Sequence, residues 1–372
     1  MRKRENNKWR VTARARSCVL LLGIGLLLPA SLAAATRKTK DAETQPPSVQ
    51  VWPPPPEPTR IEYLRTFSRA KDFGWKPSLW RKFVEWAKYE KDPSLLQTPF
   101  AIALDGPTRM IIADAGSRDV KIFDFQKKTV RPIRGYKKTY FGSPVGVAVD
   151  QEHNIYVSDS SAGRVVKFSR DGKLLSYIGG EEGAFKRPAG IAFNPTNELL
   201  YVVDTLRPRI FVYDSAGTLV RQFGEPGNGP GQFNYPTFVA VDREGQVYVN
   251  DTLNFRIQVF TPDGHFVRMM GTQGDGSGQF SRAKGMAFDS EGHMYVADAL
   301  FAAVQIFGGD GSYLLTFGAS GAGPGEFYLP AGVAVDESDQ VYVADPYQRR
   351  VEVFRYIREN EAKPRFTPGG SQ

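Results

Sequence analysis

Between Pro99 and Phe354 the chain alternates short apolar runs with polar turns, and the runs recur in one phrase. Pro-Val-Gly-Val-Ala-Val-Asp (144–150) is followed by Ile-Tyr-Val-Ser-Asp (155–159) and then Arg-Val-Val-Lys-Phe (164–168). Runs this short, rich in β-branched and aromatic residues and bounded by Gly, Asp and Asn, read as strands rather than helices. A fourth segment completes each trio, as in 172–179, 217–224, 264–271 and 311–318. Asp171-Gly172, Asp263-Gly264 and Asp310-Gly311 open three of these segments. Such pairs signal hairpins, because glycine accepts the positive φ that the turn needs. The aspartates closing the second strand are Asp114, Asp159, Asp204, Asp251, Asp298 and Asp345, spaced by 45, 45, 47, 47 and 47 residues. Strand-built repeats of this period predict propeller blades. The expected fold is therefore all-β: a six-bladed β-propeller of four-stranded antiparallel blades.

The first strand of each repeat alternates small residues with larger ones, as in Gly146/Ala148, Gly190/Ala192, Gly285/Ala287 and Gly332/Ala334. Blades crowd most at the axis, so this strand is expected to be the inner one. The sixth repeat ends after its third strand at Val351–Phe354, while Ile61–Phe67 resembles the fourth-strand segment Tyr313–Phe317. An N-terminal strand is thus predicted to complete blade six and close the ring, which removes two exposed sheet edges.

The repeats resemble the NHL family, in a form expected of an exported bacterial six-bladed propeller. The resemblance rests on Pro-x-Gly-Val/Ile-Ala-Val/Phe-Asp, Tyr-Val-Ala/Val-Asp and Arg-Ile/Val-x-Val-Phe. The loops 227–233 and 321–327, of the form Gly-x-Gly-Pro-Gly-Gln/Glu-Phe, add to it. It implies a binding scaffold, usually for protein and in some intracellular members for RNA, with a few lyase or sensor relatives. The first repeat departs most, with Phe100-Ala101 in place of x-Gly and Asp119 in place of Arg.

Charge changes the picture only once its position is known. The chain of 372 residues carries a formal +8, of which residues 1–35 hold +6, leaving +2 for the remainder. Those residues have a basic start, an apolar run over 19–28 and small residues ending at Ala35, the layout of a signal peptide with too short a run to span a bilayer. A secreted or periplasmic protein is expected, with an uncleaved N-terminal membrane anchor as the alternative and no membrane span after cleavage. Near-neutral charge and export exclude nucleic acid as a partner. The only cysteine, Cys18, leaves with residues 1–35, so the mature chain uses no disulfide. Residues 36–58, with Pro46, Pro47 and Pro53–Pro56, read as a proline-rich linker ahead of a propeller over 59–357; residues 358–372 read as a disordered tail.

Two stretches stand outside the repeat. Ser78 can cap an amphipathic helix over about 78–90, with Leu79, Phe83 and Trp86 on one side and Trp80, Val84 and Ala87 adjacent. The run Lys127, Lys128, Arg131, Arg134, Lys137 and Lys138 contains no acidic residue and falls on the outer strand of blade one and the loop beyond it, near Tyr136, Tyr140 and Phe141. Trp80, Phe83, Trp86 and these six cations are the candidate partner-binding residues; a protein partner is expected, and an anionic glycan would suit the basic run.

Catalytic chemistry finds no constellation. His153 and His293 fall in equivalent turns of blades two and five, on opposite sides of the ring, and His265 falls in a different turn, so the three cannot share one zinc. Asp150, Asp242, Asp289 and Asp336, with Asn194, sit one per blade, a dispersion that suits turn capping better than paired-carboxylate catalysis. The pairs Asp159/Arg164, Asp204/Arg209, Asp251/Arg256 and Asp345/Arg350, five residues apart, read as capped turns with local ion pairs. No nucleophile elbow is present. The expectation is a non-enzymatic scaffold with no catalytic, cofactor-binding or metal-ligating side chain identified, leaving room for an oxygen-ligated calcium near the axis. The alternatives are a metal-dependent lyase or hydrolase, a small-ligand binder at the channel mouth, and an envelope sensor or glycan-binding module.

Overall fold

The computed structural model describes residues 50–76, 92–136, 139–180, 184–358 and Glu361. Six antiparallel sheets follow one another along the chain, each running from an inner strand to an outer one. Blade two is typical, with strands Pro144–Val149, Ile155–Asp159, Arg164–Phe168 and Leu174–Ile178 in that order. The protein is a six-bladed β-propeller.

Ring closure runs through the predicted segment. Ile61–Phe67 pairs antiparallel with Arg350–Tyr356, from Ile61 opposite Tyr356 to Phe67 opposite Val351, and so forms the fourth strand of blade six. Ile61 and Phe67 are fully buried there. The proline-rich linker read over 36–58 gives way earlier than expected. Val51–Trp52 forms a fifth strand, with Trp52 opposite Ile61, and the Trp52 ring lies 6.0 Å from Phe317 and 5.8 Å from Phe354. Proline content hid this strand, because its pairing needs only two residues and its anchor is one aromatic side chain. Residues 1–35, read as a signal peptide, the helix expected over 78–90 with Trp80, Phe83 and Trp86, the cations Lys137 and Lys138, and most of the tail lie outside the described residues.

Glycine sets the spacing at the axis. A Cβ on Gly146 would lie 2.4 Å from the Ala189 carbonyl, and one on Gly285 would lie 2.5 Å from the Ala331 carbonyl. Neighbouring inner strands therefore touch backbone to backbone. Further out, adjacent sheets pack face to face; Ile111, Val120 and Ile122 of blade one, for example, share a cluster with Ile155, Val157, Val166 and Phe168 of blade two.

The six repeated aspartates are fully buried and stitch each blade to the loop that enters it. Asp159 accepts the Gly142 and Ser143 N–H groups, Asp204 those of Lys186 and Arg187, and Asp298 those of Ser281 and Arg282. Asp114 accepts from Gln97 and Thr98, Asp251 from Asn234, and Asp345 from Tyr328. Most of the same carboxylates also cap the turn that follows, as where Asp298 Oδ1 accepts the Leu300 and Phe301 N–H groups.

Asp298→Ala is expected to destabilise the fold by about 3 kcal/mol, since it leaves several buried N–H groups unpaired; chemical denaturation measures this, and a change under about 1 kcal/mol would contradict the role given to the carboxylate. Deleting residues 50–68 is expected to lower the melting temperature by on the order of 10 °C, because it exposes the faces that Trp52, Ile61 and Phe67 cover; an unchanged melt would refute closure through this segment.

Candidate functional site at the glycine-rich-loop face

The second strands end, and the inner strands begin, at one face of the disc. Two residues beyond each repeated aspartate, the capped turn carries Gly116, Ser161, Leu206, Leu253, Leu300 and Tyr347 in blades one to six. Blades three to six thus present Leu206, Leu253, Leu300 and Tyr347, which are 52%, 49%, 58% and 63% exposed. Tyr328, also exposed, stacks on Tyr347 with ring centroids 4.2 Å apart. The result is an apolar arc over four successive blades, held by turns that buried carboxylates pin.

Beside the arc stand three glycine-rich loops, 227–233, 274–280 and 321–327, at 47-residue spacing. Each ends in a buried phenylalanine, Phe233, Phe280 or Phe327. Each is locked by a third-strand side chain: Gln258 accepts the Gly231 N–H, Gln305 that of Gly278 and Glu352 that of Gly325. The middle loop departs from the sequence phrase only by Ser277 in place of proline, and it takes the same conformation. Arg256 reinforces its loop through the Asn228, Gly229 and Gln232 carbonyls, and Arg350 does so through those of Ala322, Gly323 and Glu326.

That use of arginine corrects the expected ion pairs. Asp251 and Arg256 do pair, at 2.9 Å. Arg350 instead meets Glu352, Arg164 lies over the Tyr136 and Tyr177 rings, and Asp204 has Arg207 rather than Arg209 at 3.9 Å. Loop carbonyls and aromatic faces compete successfully for a guanidinium with several donors. In blade one, where Asp119 replaces arginine, the buried Lys121 binds Asp114 at 3.0 Å together with Asp119 and Ser117.

Two cavities lie along the axis. The channel, about 400 Å³, is lined by all six inner strands and is mostly apolar, with Asp242 and Arg243 at its far end. The mouth at the glycine-rich-loop face, about 710 Å³, is lined by Phe100, Arg282, Lys284, Leu329, Tyr347 and Arg349 among others, with no carboxylate. Phe100 of blade one stacks on Phe238 of blade four, ring centroids 5.8 Å apart; Phe100 lines the mouth and Phe238 the channel, so the pair stands between them. Burial, with the Arg282 charge adding to it, pushes the Lys284 ammonium down to about 8.

The opposite face carries the dispersed acids, which cap turns as expected. Asp150 accepts the Asn154 N–H and Tyr156 O–H, and Asp336 those of Gln340 and Tyr342. His293 bonds Asp289 at 2.9 Å, and this hydrogen bond raises its pKa; His153 bonds Asp105 of blade one. Among the described residues no group of three His, Cys, Asp or Glu is arranged to hold a metal ion.

The basic run is spread along an edge. Lys127 and Lys128 occupy a turn, Arg131 lies on the outer strand Thr129–Ile133, and Arg134 follows it. Lys127 faces Asp124 at 3.6 Å and Arg131 faces Asp171 at 3.6 Å, so neighbouring carboxylates offset two of these charges. Of the nearby aromatics only Tyr140 is exposed; Tyr136 and Phe141 belong to the core. The leucine arc and Lys284 were missed from sequence. The 47-residue step would have found the arc's positions, but it does not tell an exposed leucine from a buried one.

Comparison with known proteins agrees with this geometry. Residues 141–168 match the NHL repeat, residues 182–275 the SMP-30/gluconolactonase/LRE-like region, and residues 288–357 a six-bladed β-propeller family. The chain is a six-bladed propeller that carries an NHL repeat. This NHL propeller is 27% identical to human NHL repeat-containing protein 3 over 203 residues, half of this chain and 57% of that one. It is 26% identical to mouse peptidyl-glycine alpha-amidating monooxygenase over 216 residues, but spans only 22% of that enzyme's length. Among solved structures, a protein of unknown function from Bacteroides thetaiotaomicron superposes with a TM-score of 0.57 at 19% identity, covering 72% of this chain and 71% of that one. A streptogramin B lyase superposes with a TM-score of 0.53 at 12% identity, covering 70% and 94%. At such identities the likeness is one of fold. Among the described residues no helix of the NHL propeller is long and apolar enough to cross a membrane.

Glu352 occupies the place that Gln258 and Gln305 hold in blades four and five, and burial pushes its carboxyl up to about 7, an effect that the Arg350 charge offsets only in part. The unfolded chain releases this proton near pH 4.5 and the folded one near 7, so the penalty grows across that window and is complete above it. Glu352→Gln is expected to melt like the wild type at pH 4 and to be more stable at pH 8 by up to ~3 kcal/mol; a variant less stable than wild type at pH 8 would show that the charge is needed.

Proposed function

We propose that this chain is an exported, non-enzymatic interaction scaffold that binds a protein partner through its glycine-rich-loop face. The observation that carries the reading is the arc of Leu206, Leu253, Leu300, Tyr347 and Tyr328. Large apolar side chains held on a rigid surface cost little ordering entropy when a partner covers them, and their burial supplies association energy. The locked loops add a rim of fixed backbone groups beside the arc. The layout of residues 1–35 supports export, which would bring the face to a partner in the periplasm or outside the cell.

Replacing Leu206, Leu253, Leu300 and Tyr347 together by Ser is expected to reduce partner capture in the native compartment, read by cross-linking and mass spectrometry, by more than about tenfold with the melt preserved. Replacing Lys127, Lys128, Arg131 and Arg134 by Ser is expected to leave that capture intact. Full capture by the arc variant would sink this reading, and loss in the basic variant alone would move the interface to the blade-one edge.

A further inference from the structure

We propose that the channel mouth between blades five, six and one binds a small organic anion, a carboxylate carried on an apolar body. This goes beyond protein docking and does not rest on it. The mouth, at about 710 Å³, has the size of a small-molecule site. Arg282 and Lys284 of blade five and Arg349 of blade six line it, and among the described residues none of the three forms an ion pair. The acids nearest in the fold are already engaged. Asp298 is occupied by the N–H groups of Ser281, Arg282, Leu300 and Phe301, Asp345 by Tyr328 and Gln348, and Asp114 by Gln97, Thr98 and Lys121. Three cations without a lining carboxylate make a cavity that favours an anion.

Lys284 is the residue that the repeat does not require. Its counterparts on the other inner strands are Phe100, Val145, Ala189, Thr237 and Ala331, all uncharged. Its ammonium lies 5.0 Å from the Phe100 ring centroid, and this aromatic face replaces only part of the hydration lost on burial. A bound carboxylate would supply the missing charge-assisted hydrogen bond. Phe100, Leu329, Ala331 and Tyr347 give the cavity apolar walls, and the Phe100–Phe238 stack keeps a ligand at the mouth instead of letting it descend into the channel.

Benzoate is a suitable probe and benzamide its neutral counterpart, tested on the full chain by calorimetry and by NMR of its ¹³C-dimethylated lysines. Benzoate is expected to bind at least about tenfold more tightly than benzamide and to raise the Lys284 titration above its starting point near 8. Lys284→Met, which keeps side-chain bulk, is expected to weaken benzoate about tenfold and leave benzamide unchanged. Arg349→Asn, on an exposed left-handed turn that asparagine accepts, is expected to do the same and serves if the Lys284 variant does not fold. Equal binding of the two probes, no benzoate binding, or unaltered benzoate affinity in a folded variant would overturn the site.

Discussion

A buried carboxylate at the end of each second strand is the interaction on which the rest of this molecule depends. Burying an ionised group is costly unless donors surround it. Here each aspartate collects N–H groups from the loop entering its blade, and most also collect them from the turn leaving the second strand. One side chain thereby ties together inner-strand entry, second-strand end and hairpin. Burial alone would raise the Asp114 pKa, yet Lys121 and the Gln97 and Thr98 N–H groups hold it below the ordinary carboxylate value. The repeated ties also shape the candidate face, because most of the turns on it are pinned by one of them.

Six near-identical units leave function to their differences. Where the pattern holds, glycine at the inner strand lets neighbouring backbones touch and the small hydrophobic residues fill a plain apolar channel. Phe100 and Phe238 depart from that pattern in opposite blades and meet across the axis. Lys284 departs from it with a charge. Leu206, Leu253, Leu300 and Tyr347 turn a structural position into an apolar arc, while Gly116 and Ser161 leave blades one and two bare at the same place. One face therefore carries both an apolar arc and a cationic mouth.

Several inferences from sequence came through because they rest on local pattern. Strand count, blade order and turn capping by Asp150, Asp289 and Asp336 all follow from residues within a few positions of one another. The Asp/Arg pairs at a spacing of five were legible as turns, but among the described residues only Asp251 and Arg256 also form the ion pair. Once the loops fold over them, Arg350 turns to carbonyls some 24 to 28 residues away, and Arg256 adds such carbonyls to its bond with Asp251. Tyr136 and Phe141, which the sequence placed beside the basic run, are core, Phe141 packing on both Tyr136 and Phe168.

By itself the sequence determined an all-β propeller of six blades, closed by a strand from the N-terminal side, because a fixed period of alternating short strands admits little else. The tertiary structure decided which of those repeated positions face solvent and which distant residues meet. Trp52 finds Phe354 only when the ring closes, and Phe100, Lys284 and Arg349 share a cavity only when blades five, six and one come round to each other. Pattern along a chain encodes what each segment must bury, whereas convergence at an axis depends on how many segments there are and how tightly they curve.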